Sequence, residues 1–111
     1  MDAMTTATFD SLSPLDGTVV RTFPVHDADD VATSVARARR AARDWRSLGF
    51  AGRRRALAAW RRDIVAHLDD LIAVVRAETG KPAGDARLEI MLALDHLAWA
   101  ASHARRVLRW R

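Results

Sequence analysis

Apolar residues recur along this chain at two different periods. Thr18-Val19-Val20-Arg21-Thr22-Phe23-Pro24-Val25 is β-branched and aromatic, which predicts a strand. Pro24 removes a ladder donor near its end and suits an edge. Phe9 to Leu12 is a shorter extended piece. Between them Ser13-Pro14-Leu15-Asp16-Gly17 reads as a turn, with Pro presetting φ and Asp-Gly tolerating positive φ. Residues 9–25 are therefore a β-hairpin, preceded by a flexible tail over 1–8. A lone hairpin is marginal in water, so it must lie on something else.

From Val31 the period changes to three and four. Val31, Val35, Ala38, Ala42 and Trp45 share one helical face. Asp27 can cap that helix, with Asp29 and Asp30 in its first turn. After a short break at Ser47 to Phe50, Leu57, Trp60, Ile64, Leu68, Leu71 and Val75 predict one long helix from about Ala51 to Glu78. Pro82 opens a third helix that runs to the end of the chain. It carries one stripe of Ile90, Leu94, Leu97, Ala101 and Leu108, and another of Leu88, Met91, Leu92 and Trp99. A helix apolar on two sides expects cover on two sides. One hairpin and two amphipathic helices do not supply it all. The last residues, Arg105 to Arg111, hold no helix-stop signal. The chain reads as three long helices after a hairpin, truncated at its C-terminus.

The 111 residues suffice for one domain with a modest core. Half are apolar and 29% are charged, which is not a disordered composition. No apolar run approaches the ~20 residues of a membrane span. The first eight residues lack a basic segment followed by an apolar one, so no secretory signal is read and the expected location is cytoplasmic. The formal charge is +4 and the pI about 11.1, which raises the question of nucleic acid. The arginines, however, are interleaved with Asp44, Asp63, Asp69 and Asp70. A solvated helical surface or a subunit contact explains them better, and neither nucleic acid nor membrane is expected as a partner.

Candidate chemistry is sparse. There is no cysteine, which excludes disulfides, thiolate metal sites and a cysteine nucleophile within these residues. No glycine-rich phosphate loop occurs. His26, His67, His96 and His103 show no metal-ligand spacing, and the serines show no nucleophile elbow. Glu78 and Glu89, the only two glutamates, are too far apart in sequence to argue a catalytic pair. Trp45, Trp60, Trp99 and Trp110 read as core or interface anchors. No residue is assigned a catalytic, cofactor-binding or metal-binding role.

The most specific stretch is Glu78-Thr79-Gly80-Lys81-Pro82. Lys81 is the only lysine among eighteen Lys and Arg residues. Gly80 ends a helix, because glycine takes the left-handed conformation without a Cβ penalty. Pro82 begins the next, where its missing N–H is not needed. The motif is a tight helix-to-helix corner.

This corner belongs to an ordered set. Ser13-Pro14-Leu15-Asp16-Gly17, the strand to Val25, Asp29-Asp30-Val31 opening a helix that closes on Trp45, Gly52-Arg53, the corner, and Asp85-Ala86-Arg87-Leu88-Glu89-Ile90 follow one another in fixed order. The set resembles the N-terminal segment of the NAD(P)-dependent aldehyde dehydrogenase superfamily, over about residues 9 to 108. The stretch Leu48 to Arg53 is similar to succinate-semialdehyde-type members. Gly52 departs from the acid that many members place at the second helix start, which implies a weaker cap.

The resemblance implies an α/β parent fold with a Rossmann-like cofactor domain, to which residues 27–111 would contribute an N-terminal three-helix part. It implies a homo-oligomeric parent that oxidises an aldehyde to a carboxylic acid with NAD or NADP. It also implies a nucleophilic cysteine, a glutamate that activates water and an oxyanion-hole asparagine, all outside this stretch. None can be carried onto a residue here. The chain alone is then an inactive fragment that binds no cofactor, its partner being the remainder of the enzyme chain. Two other readings stay open: a small helical scaffold or interaction protein, and a basic nucleic-acid binder.

Overall fold

The computed structural model describes residues 7–109. Strands β1 (Thr8–Leu12) and β2 (Val19–Pro24) pair antiparallel, with Phe9 opposite Phe23 and Leu12 opposite Val19 across a bulge. Thr8 thus belongs to the strand and not to the tail, while the first six residues lie outside the described part. Phe9 and Phe23 stack with centroids 5.7 Å apart. The turn is closed by Gly17, at φ +73°, donating to the Ser13 carbonyl, and by the Asp16 carboxylate accepting from the Thr18 hydroxyl at 2.8 Å and amide at 3.1 Å. Those bonds from Thr18, hydroxyl first, hold the Asp16 carboxyl below its ordinary pKa.

Helix α1 (Ala28–Ser47) opens as its sequence predicts. Asp27 accepts from the amides of Asp29 and Asp30, and Asp30 reaches back to the Asp27 amide. The break that follows is a single residue, Leu48, and α2 (Gly49–Ala66) begins at once with Gly49 at φ +60°. Gly52 lies inside α2, and that helix has neither a side-chain cap nor an acid in its first turn.

The long helix predicted over 51–78 is two helices. Among the described residues there are therefore four helices, not three, with α3 spanning Leu68–Thr79 and α4 spanning Ala83–Leu108. The break is at His67, whose φ of −111° and ψ of 25° leave the helical region. Its ring Nδ1 lies 2.9 Å from the Asp63 carbonyl oxygen, the end of α2, and Asp69 and Asp70 complement the start of α3. The apolar stripe of Ile64, Leu68 and Leu71 runs across the break in phase, so periodicity alone could not show it.

Helix α4 packs on α2 and α3, whereas α1 touches α2 lightly. The apolar side chains that are buried are Ile72 on α3 with Ala86 and Leu94 on α4. No residue of α1 is buried. The radius of gyration is 18.8 Å, against about 13 Å for a compact chain of this length. The accessible surface is 9368 Å², against roughly 6,100 Å² for a compact protein of this mass. The hairpin and helices form an open assembly with one small core.

Candidate functional site

The corner between α3 and α4 is where the hairpin turn meets the helices. Gly80 caps α3 at φ +72° and ψ 7°, its N–H donating to the Arg76 carbonyl at 2.9 Å. The Thr79 hydroxyl donates to the Val75 carbonyl. Pro82 sits at the cap position of α4, one residue earlier than the first-turn position read from sequence, with Ala83 starting the helix. The hairpin turn lands on this corner. A Cβ added to Gly80 would lie 3.2 Å from Leu15 Cδ2 and 3.3 Å from Pro14 Cγ. The absent side chain of Gly80 is therefore the seat of the turn, and Ser13, at the base of that turn, is buried.

Two ion pairs tie α4 to its neighbours. Lys81 Nζ pairs with Glu89 Oε2 across the corner, and Arg87 Nη2 with Asp69 Oδ1 at 3.0 Å. All four side chains are exposed, so each pair adds at most about 1 kcal/mol. Sequence reasoning singled out Lys81 and Glu89 separately and did not pair them. Their rarity and their eight-residue spacing across the corner were the available signal. The seating of Leu15 and Pro14 on Gly80 is a long-range contact with no local signal.

His67 sits at the α2–α3 break beside Asp63. The Asp63 carbonyl, then the Asp63 carboxylate 3.6 Å away, raise its pKa, burial lowers it slightly, and Asp70 adds to the rise. Stability from this group is fully present below the ordinary value of about 6.5 and is lost as pH rises through the raised folded value. An NMR titration of the His67 ring should give a midpoint above the ordinary value, and the Asp63→Asn variant a lower one. A midpoint unmoved by Asp63→Asn would contradict this pairing.

The remaining polar groups do not assemble a reaction centre. Ser102 Oγ lies 2.9 Å from His103 Nδ1, but that nitrogen is also 2.9 Å from the Trp99 carbonyl oxygen. Nδ1 must carry a proton to bond the carbonyl, so it cannot take one from Ser102. The Ser102 hydroxyl is itself engaged with the Ala98 and Trp99 carbonyls. Among the described residues no three His, Asp or Glu side chains converge as a metal site.

What α4 does present is an uncovered apolar face. Its inner stripe is covered as far as Ala101: Leu94 is buried, Ile90, Leu97 and Ala101 are half-buried, and Leu108 at the helix end is exposed. On its outer stripe Leu88, Met91, Leu92 and Trp99 are each more than half exposed. Trp60 is 56% exposed and Trp45 39%. These tryptophans are not core residues of this chain, and Trp110 lies outside the described part. Large apolar side chains exposed on this scale mark a surface meant for contact.

Residues 1–110 match the aldehyde dehydrogenase family. The chain belongs to that family. Among its relatives, a probable succinate-semialdehyde dehydrogenase [NADP(+)] of Sinorhizobium fredii is 35% identical over 89% of this chain and 20% of its own length. A 4,4'-diapolycopene aldehyde oxidase of Methylomonas is 36% identical over 94% of this chain and 20% of its own length. The succinate-semialdehyde dehydrogenase [NADP(+)] of Escherichia coli is 30% identical over 96% of this chain and 22% of its own length. The chain thus spans about one fifth of the length of these relatives. No solved structure matches it.

Proposed function

We propose that the chain is the N-terminal structural segment of an NAD(P)-dependent aldehyde dehydrogenase that oxidises an aldehyde, of the semialdehyde class, to its carboxylic acid. The family match over residues 1–110 carries this reading. The semialdehyde class rests on the names of two of the relatives above. In this reading the hairpin and helices are an outer part of the cofactor domain, and the exposed stripe of α4 packs on the rest of it. The enzyme is a homo-oligomer located in the cytoplasm. Among the described residues no helix is long and apolar enough to cross a membrane. A free-standing helical scaffold is not favoured, because so little of the apolar surface is buried within the chain.

The residues present do not fit a nicotinamide cofactor. The sheet among the described residues is the two-stranded hairpin. It lacks the strand, glycine-rich turn and helix that place a pyrophosphate at a helix N-terminus. The positive-φ glycines instead sit at the hairpin turn, the α1–α2 junction and the α3–α4 corner. This chain's contribution is architectural: the Gly80 corner sets the direction of α4, and α4 offers its outer stripe to the catalytic body.

The test is spectrophotometric. With NAD or NADP and a panel of semialdehydes, the 111 residues alone should form no reduced nicotinamide. Turnover above a protein-free control would overturn the assignment of a purely architectural role.

A further inference from the structure

We draw no further inference here: the strongest candidate, the exposed outer face of α4 formed by Leu88, Met91, Leu92 and Trp99, belongs to the surface already described, and nothing in the structure shows what covers it.

Discussion

Leu94→Ala is expected to cost about 2–5 kcal/mol, among the largest effects of any single truncation in this chain. Leu94 is 8% exposed at the centre of the face that α4 turns toward α2 and α3. Among the described residues it is one of three buried apolar side chains, beside Ile72 and Ala86. Removing it leaves a cavity that its neighbours can fill only in part, so the loss exceeds the transfer energy of the deleted atoms. Leu92, two residues earlier on the same helix, is the control. It is 51% exposed, and Leu92→Ala in the isolated chain should change stability by no more than about 0.5 kcal/mol. Helicity followed in urea at low protein concentration compares the two. Equal losses would mean that the inner and outer faces of α4 have been assigned wrongly.

Gly80→Val should cost about 1–2 kcal/mol from backbone conformation alone, because Gly80 holds φ +72° and left-handed backbone is penalised once a Cβ is present. The β-branched side chain adds crowding against Leu15 and Pro14, whose atoms stand 3.2–3.3 Å from the new Cβ. The turn must then lift from the corner, so the variant should lose the nuclear Overhauser contacts between Leu15 and residues of the corner as well as stability. Gly84 provides the contrast. It lies within α4 with nothing within 4 Å of an added Cβ, so Gly84→Ala should stabilise by about 0.5–1 kcal/mol. A neutral Gly80→Val would remove the left-handed cap from this account.

Local chemistry made some of this structure legible and left the rest hidden. The cap of α1 at Asp27, the Gly80 stop and the hairpin turn are each dictated by two to five adjacent residues, and each stands where those residues predict. The break at His67 was invisible because the apolar stripe keeps its phase across it, and no glycine or proline marks it. Its signal is a histidine that bonds back to the Asp63 carbonyl, a choice between two satisfactory hydrogen-bonding arrangements. The two-sided pattern of α4 implied cover on two sides, and the structure leaves the outer stripe of Leu88, Met91, Leu92 and Trp99 exposed. The helix stripe of α1 predicted burial that this chain does not provide, since periodicity reports that a face is covered and not by what. The family was legible from the ordered set of motifs. The pairing of Lys81 with Glu89 and the seating of Leu15 on Gly80 depend on how elements fold back, which spacing along the chain does not encode.

The central claim is that α4 carries a docking face for a larger body, and sedimentation of the isolated chain tests it most directly. The outer stripe of Leu88, Met91, Leu92 and Trp99 joins an open surface of 9368 Å². Fully burying each such side chain is worth about 1.5–3 kcal/mol. That sum is comparable with the whole stability of an ordinary domain, roughly 5–15 kcal/mol. The account predicts a helical chain that self-associates as concentration rises. It predicts that a variant with Leu88→Gln, Leu92→Gln and Trp99→Gln is monomeric at the same helicity. A native chain that sediments as a monomer across the same concentrations, with a sharp cooperative melt, would contradict it.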